Sequence, residues 1–174
     1  MARVEMAKSP ADGYTLMRHN VSTNTITPFI YAKKLSINYS KDVVAVSNIV
    51  DVPALLLVTT TDFPPKTAAE LIDYTKKNPG KVAYCSSGDG SSDHLTGEVF
   101  KQGAGINAVH VPYKGGAACQ TDIMGKQIDL SFQNLGAVTN YIKAGKMKAL
   151  AVTATARNPQ IPNVPTAGEA GFPD

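Results

Sequence analysis

Short apolar runs alternate with helix-length segments along most of this sequence. Residues 54–59 form a continuous apolar run, which is typical of a strand buried on both faces of a sheet. Thr67 and Glu70 then have the spacing of a capping box, which predicts a helix over residues 68–77. The alternation continues, with predicted strands at 82–85, 108–112, 128–132 and 150–153 and predicted helices at about 92–102, 115–124 and 138–143.

Strands that alternate with helices predict an α/β fold with a doubly wound, mostly parallel sheet and right-handed crossovers. We therefore expect one complete domain over residues 52–155. Residues 1–51 predict only two strands, at 15–18 and 43–49, and one helix, at about 28–34, which is too little to close a domain. They are interpreted as part of a first domain, and the proline-rich residues 156–174 as a segment crossing back toward it.

Composition narrows the class of protein. Hydrophobic residues make up 43% of the 174 residues, so a buried core is expected, and the net charge is only +3. Lys and Arg are scattered without a run of five like charges, which argues against a nucleic-acid partner. No apolar run is long enough to span a membrane, and the N-terminus has no signal-peptide pattern, as expected for a cytoplasmic or a processed secreted chain.

The two cysteines, Cys85 and Cys119, lack metal-ligand spacing. They are interpreted first as small buried apolar residues, and a disulfide stays open as an alternative.

The strongest candidate for a ligand site is the small-residue loop that joins a predicted strand to the helix at about 92–102. Ligands of open α/β sheets bind beyond the carboxyl ends of strands, and a helix N-terminus favours an anion. Hydroxyls and close backbone approach are offered by Ser86, Ser87, Gly88, Gly90, Ser91 and Ser92. A simple capped turn, with Ser91 or Ser92 as the N-cap, is the structural alternative.

Two further predicted strand ends carry polar side chains. Tyr113 precedes a glycine pair that opens a helix, and Asn134 follows the strand at 128–132. Ser22 and Thr23 follow an earlier predicted strand and are candidates from the first domain, with a polar turn as the alternative. A nucleotide site is disfavoured, because Asp93 stands where a G-x-G-x-x-G motif would have its third glycine and no P-loop motif occurs.

A hydrolase is the enzymatic alternative. Ser86, Asp93 and His94 are close in sequence, but no G-x-S-x-G nucleophile elbow occurs. His94 is expected to pack or cap the helix, and it is also a candidate ligand-binding residue. His19 and His110 have no partner at a suggestive spacing. The sequence therefore predicts no catalytic residue, no metal site and no cofactor.

Several collinear motifs resemble one protein family. They are Ala-Asp-Gly-Tyr-Thr-Leu at 11–16, the loop at 84–95, Val-Pro-Tyr-Lys-Gly-Gly-Ala at 111–117, Ile-Lys-Ala-Gly-Lys-Met-Lys-Ala-Leu-Ala-Val at 142–152 and Val-Pro-Thr-Ala-Gly-Glu-Ala-Gly at 164–171. This set is similar to the TctC-like, or Bug, solute-binding receptors of bacterial tripartite tricarboxylate transporters.

The resemblance implies a type II periplasmic-binding-protein fold, in which two α/β domains close on a small carboxylate held by amides and hydroxyls. It implies a periplasmic receptor, with the transporter's membrane subunits as partners and no enzymatic activity. A cytoplasmic ligand-sensing domain on the same fold is the remaining alternative. The family's export signal, first structural unit and final return to the first domain are not found in these 174 residues. We therefore expect a fragment that exposes apolar surface and self-associates.

Overall fold

The structure is a computed structural model, and it describes residues 2–18, 25–34, 36–49 and 54–172. The chain divides into two compact units, one comprising Met1–Asp51 with Gly90–Ser92 and the other Val52–Asp89 with Asp93–Asp174. Among the helices in the described part of the chain, none has the length and apolar character needed to span a bilayer.

The smaller unit contains short helices and extended coil. Its helices are α1 (Ala2–Lys8), α2 (Thr27–Ile30) and α3 (Tyr39–Asp42). The predicted helix at 28–34 is thus shortened to a single turn. The strands predicted at 15–18 and 43–49 are wrong, because both segments are coil. A strand needs a neighbour to accept its backbone hydrogen bonds, and among the described residues of this unit no strand pairs with either segment.

These two segments, and Tyr14 just before the first of them, expose apolar side chains. Tyr14 is 92% exposed and Val44 is 84% exposed, and Leu16, Val46 and Ile49 are also largely in solvent. Apolar exposure on this scale agrees with the surface that the sequence predicted for the first domain.

The larger unit is built on a five-stranded sheet with the order β3-β2-β4-β1-β5. The strands are β1 (Leu55–Thr59), β2 (Ala83–Ser86), β3 (Val109–Pro112), β4 (Leu130–Asn134) and β5 (Lys148–Val152). β2 is parallel to β3 and β4, whereas β1 is antiparallel to both β4 and β5. Four strands therefore share one direction and β1 alone is reversed, which confirms a mostly parallel sheet.

Four helices connect these strands: α4 (Ala68–Lys77), α5 (Ser92–Ala104), α6 (Gly116–Met124) and α7 (Leu135–Lys143). The start of α4 confirms the predicted cap, because the Glu70 amide donates to Thr67 Oγ1 at 3.1 Å. The Glu70 carboxylate accepts from the Lys66 amide at 2.7 Å, so side chain and backbone satisfy each other at this helix end.

The sheet separates two apolar clusters. Successive side chains of β1 point to opposite faces of the sheet and so contribute to both clusters. Leu56 and Val58 belong to one cluster, and Leu57 belongs to the other. All three are at most 2% exposed, so β1 is buried on both faces as its apolar run predicts.

A disulfide joins Cys85 of β2 to Cys119 of α6. Interpreting the cysteines as two unlinked apolar residues is therefore wrong, and the alternative left open is correct. The fold brings their Cα atoms to 5.8 Å, within the range that a disulfide bridges. Sequence alone contains no information on that distance, because the two residues are 34 positions apart.

The segment after β5 returns along the edge of the sheet. Val152 forms a parallel bridge with Thr166, through a 2.9 Å hydrogen bond from its amide to the Pro165 carbonyl. The Ala167 amide donates to the Val152 carbonyl at 2.8 Å. Residues 156–172 otherwise form turns and coil.

Candidate functional site

The carboxyl ends of three strands meet at one edge of the larger unit's sheet. β3, β2 and β4 are consecutive in the sheet and parallel, so Ser86, Pro112 and Asn134 end their strands on the same side. The Tyr113 amide donates to the Ser86 carbonyl at 3.0 Å, which holds two of these ends together. The structure thus brings three of the predicted strand-end segments to one edge, where ligands of α/β sheets bind.

The loop after β2 is closed by its own hydrogen bonds. The Asp93 carboxylate accepts from the Ser87 amide at 2.6 Å and from the Ser87 hydroxyl at 2.8 Å. Asp93 is 6% exposed, and a buried carboxylate requires such donors. The Gly88 amide donates to Ser86 Oγ at 3.2 Å. The Ser87 and Gly88 donors, which the sequence analysis assigned to a ligand, therefore also fix the conformation of the loop.

Two glycines permit the backbone conformation of this loop. Gly88 and Gly90 have φ of +131° and +77°, a region that favours glycine. A Cβ on Gly88 would lie 3.3 Å from the Tyr113 carbonyl oxygen. Within the smaller unit, a Cβ on Gly90 would lie 2.6 Å from Cδ1 of Ile30. The sequence analysis assigned these glycines to the close approach of a ligand. They are also required because other atoms of the protein lie close to them.

His110 on β3 is the residue that sequence reasoning missed. Its Nε2 lies 2.7 Å from Ser86 Oγ, and its ring stacks on His94 with centroids 4.0 Å apart and planes 9° apart. Burial, followed by the nearby His94, lowers the pKa of His110, so the neutral imidazole is favoured. A single polar residue inside the apolar run Ala-Val-His-Val-Pro was the available signal, but its partner is 24 residues away.

Neither arrangement of Ser, His and Asp in this loop forms a hydrolytic triad. The Asp93 carboxylate is bonded to Ser87, not to His94. Ser86 and His110 are in contact, but Ser86 is fully buried, whereas a nucleophile must meet its substrate. Asp89 Oδ1 is 3.8 Å from His110 Nδ1, beyond hydrogen-bond range, so it does not orient the ring as a triad carboxylate does.

The other strand ends differ in how their polar groups are used. The Tyr113 hydroxyl donates to the Asp122 carboxylate, and this hydrogen bond raises the pKa of Tyr113. Asn134 is exposed and precedes α7 without a side-chain cap. The preceding Gln133 is buried, and its Nε2 donates to Ser131 Oγ at 2.8 Å. Asn134 is therefore the strand-end amide that faces solvent.

The remaining predicted residues lie in different parts of the chain. Ser92 is the first residue of α5 and His94 lies in its first turn, and both are half-buried, as is Ser91. Gly90, Ser91 and Ser92 group with the smaller unit. Ser22 and Thr23 lie outside the described residues.

Comparisons with known proteins give a consistent result. The family model described as "Tripartite tricarboxylate transporter family receptor" matches residues 1–174. BugT of Bordetella pertussis is 35% identical over 170 residues, which cover 97% of this chain and 51% of BugT. The chain thus spans about half the length of that relative.

Solved structures agree with the sequence match. A structure described as a periplasmic transporter is 40% identical, with a TM-score of 0.92 over 98% of this chain and 57% of the other. R. palustris Rpa4515, solved with adipate, is 31% identical, with a TM-score of 0.81 over 99% of this chain and 57% of the other. These likenesses confirm the periplasmic-binding-protein type of fold.

Proposed function

Because this chain belongs to the tripartite tricarboxylate transporter receptor family, we propose that it is part of a solute-binding receptor that captures a small organic carboxylate. The observation that carries the proposal is the likeness to Rpa4515 with adipate, which extends over 99% of this chain at 31% identity. A dicarboxylate of similar size is the ligand class that this likeness favours.

The proposed binding surface is the shared edge where β2, β3 and β4 end. Ser86, Ser87 and Gly88 shape the loop there, and the N-terminus of α5 contributes a partial positive charge that attracts a carboxylate. The Asn134 amide and His94 are the proposed polar contacts, whereas the Tyr113 hydroxyl already donates its proton to Asp122 and stays a prediction of the sequence. Gly90, Ser91, Ser92, Ser22 and Thr23 stay predictions of the sequence.

We place this receptor in the periplasm, where the membrane subunits of a transporter would be its partners. The Cys85–Cys119 disulfide supports this placement, because disulfides persist in oxidising compartments. Binding rather than catalysis is proposed, with neither cofactor nor covalent step. The buried Ser86 supports that choice, because the loop offers no accessible nucleophile at this position.

The test is a thermal-shift screen of adipate, succinate, citrate and glutamate on the complete product of the gene that encodes this chain. A ligand at 100 times its Kd stabilises the native state by about 2.7 kcal/mol, which raises Tm by several degrees. A screen in which no acid raises Tm at millimolar concentration would contradict the proposal.

A substitution that adds a negative charge tests the proposed location of the ligand-binding surface. Asn134→Asp keeps the size of the side chain and places a negative charge at the strand end, so we expect about tenfold weaker binding of the acid found in the screen. Asn140→Asp, at an exposed position on α7, is the matched control and should change affinity by less than about threefold. Equal effects of the two variants would place the ligand elsewhere.

A further inference from the structure

Three side chains at the edge of the larger unit bring potential metal ligands together. Asp89, His94 and His110 each offer one ligand atom, and these atoms lie within 4.8 Å of one another. Asp89 is in the loop after β2, His94 is in the first turn of α5 and His110 is on β3. Three separate elements thus converge on one point. The family resemblance implies no metal site, and the sequence predicted none.

The geometry around His110 is that of a metal-binding imidazole. Its Nε2 is engaged with Ser86 Oγ at 2.7 Å, and the same hydroxyl lies 3.3 Å from the Gly88 carbonyl, to which it can donate. With the hydroxyl proton directed to Gly88, Ser86 accepts from Nε2–H, and the lone pair of His110 is then on Nδ1. A metal-binding histidine is commonly fixed in this way by a hydrogen bond from its other nitrogen.

The distance from His110 Nδ1 to Asp89 Oδ1 fits a shared ion better than a hydrogen bond. It is 3.8 Å, which is too long for N–H···O. Two ligand atoms that are each about 2.0–2.2 Å from one ion at a tetrahedral angle lie roughly 3.3–3.6 Å apart. The observed distance is wider than this by a few tenths of an ångström, so a small movement of the exposed Asp89 side chain brings the pair to the spacing of two ligands of one ion.

His94 must turn to join them. Its ring is parallel to that of His110, 4.0 Å away, and in-plane lone pairs of parallel rings do not meet. His94 is half-buried on the first turn of α5, whereas the His110 ring is also in contact with Tyr84 at 4.9 Å between centroids. Coordination by all three residues therefore requires rotation of the His94 ring about its side-chain bonds, while His110 serves as the fixed ligand because its Nε2 also lies against Ser86 Oγ.

We propose that Asp89, His94 and His110 form a binding site for a first-row divalent transition-metal ion, with Zn²⁺ as the model ion. Two imidazoles and one carboxylate suit Zn²⁺, Ni²⁺ or Cu²⁺ and not Mg²⁺ or Ca²⁺, which prefer oxygen. Three protein ligands leave at least one coordination position open. The ion would also offset the charge of Asp89, which otherwise opposes an anion at this edge.

The test is titration of the untagged, chelator-treated chain with Co²⁺ alone, followed by visible absorption, and with Zn²⁺ alone, followed by calorimetry. Both cysteines are in the disulfide, so thiolates contribute nothing to either signal. We expect saturable one-to-one binding, with Asp89→Asn and His94→Gln each weakening it by about tenfold or more. Mg²⁺ and Ca²⁺ should not compete at millimolar concentration.

Matched controls make the assignment specific. Asp73→Asn changes an exposed aspartate on α4, and His19→Gln removes the chain's third histidine, which lies outside the described residues. Both should bind like the wild type. The proposal is overturned if no saturable binding occurs below about 1 mM, if Asp89→Asn or His94→Gln stays within threefold of wild type, or if either control loses binding. His110→Gln is scored only if its circular dichroism and melting match the wild type.

This inference shares His94 with the proposed binding surface, but its test is separate, because the titration contains no carboxylate ligand. Failure of the metal titration leaves the thermal-shift screen unaffected, and the reverse also holds.

Discussion

Ser86 on β2 and His110 on β3 are joined side chain to side chain, with 2.7 Å between Oγ and Nε2. The contact links the last residue of one strand to the neighbouring strand, while the same hydroxyl accepts from the Gly88 amide. One buried oxygen therefore connects two strands and the loop that follows β2. Removing it affects all three, since a buried donor or acceptor without a partner is costly.

We expect Ser86→Ala to lower the free energy of unfolding by about 1–3 kcal/mol, because Gly88 N–H and the His110 ring both lose a partner. Urea denaturation followed by circular dichroism measures the change. Thr61→Ala, which removes an exposed hydroxyl from the same unit, is the control and should stay within about 0.5 kcal/mol of wild type. Equal stability of Ser86→Ala and the control would show that the contact contributes nothing.

Gly97 on α5 is held against the ring of Tyr84. A Cβ at this position would lie 2.4 Å from Tyr84 Cε2, and Tyr84 is 1% exposed and bonded to Glu98 at 2.5 Å. Gly97→Ala should therefore destabilise the protein by about 1–3 kcal/mol through overpacking, despite the better helix propensity of alanine.

Gly103, on the same helix, provides the opposite case. Among the described residues, apart from its chain neighbours and the backbone of its own helix, no heavy atom lies within 4 Å of a Cβ built there. Gly103→Ala should stabilise the protein by about 0.5–1 kcal/mol, since only helix propensity changes. Thermal denaturation of both variants gives the comparison, and a shift of the same sign in the two would refute the packing argument.

The disulfide can be tested cleanly because the chain contains only two cysteines. It closes a loop with a sequence separation of 34, so its loss should cost about 3–4 kcal/mol in the chain-entropy description. Guanidinium denaturation of the Cys85→Ala/Cys119→Ala variant measures the loss. Dithiothreitol should destabilise the wild type and leave the variant unchanged, and a wild type insensitive to the reductant after full reduction would count against the prediction.

Asp129 should make stability depend on pH. Burial raises the pKa of this carboxyl above its ordinary value of 3.8, and the 2.7 Å hydrogen bond from the Ala83 amide only partly opposes that effect. Because the folded state binds the proton more tightly than the unfolded state, the stability linked to Asp129 is fully present below pH 3.8. It is lost as the pH rises through the folded-state pKa.

Asp129→Asn keeps an acceptor for the Ala83 amide without the charge. We expect the wild type to lose stability relative to this variant between acidic and neutral pH, as measured by urea denaturation across that range. Asp129→Ala removes the acceptor and should be less stable than Asp129→Asn by about 1–3 kcal/mol at every pH, because neither variant titrates at this position. A pH profile of the wild type that runs parallel to that of Asp129→Asn would rule out the role of the charge.

The sequence predictions were accurate where a structure is determined by residues close together in the sequence, and they failed where it is determined by distant residues. The helix at 68–77 was predicted to the residue, because its cap and its stop are encoded within a few positions. The reversal of β1 was not predicted, since alternation of strands and helices gives no direction for any single strand. The strands expected at 15–18 and 43–49 depend on neighbours that no local pattern supplies.

The candidate site shows the same limit. The loop after β2 was identified from its serines and glycines, which are consecutive in the sequence. The Ser86–His110 contact and the cluster with Asp89 and His94 require the register of β2 against β3, which pairs Tyr84 with His110. That register is a property of the assembled sheet, so no motif in the sequence contained it.

The bridge between Val152 and Thr166 has a consequence for solubility. An uncovered edge strand is a template for pairing with other chains and so a starting point for aggregation. Both backbone groups of Val152 are already bonded to Pro165 and Ala167, so β5 is blocked there by the protein's own chain. The covering segment includes three prolines, which have no N–H to offer an incoming strand. The C-terminal end of β5 is thereby protected from edge-to-edge pairing, and deletion of residues 156–172 would expose it.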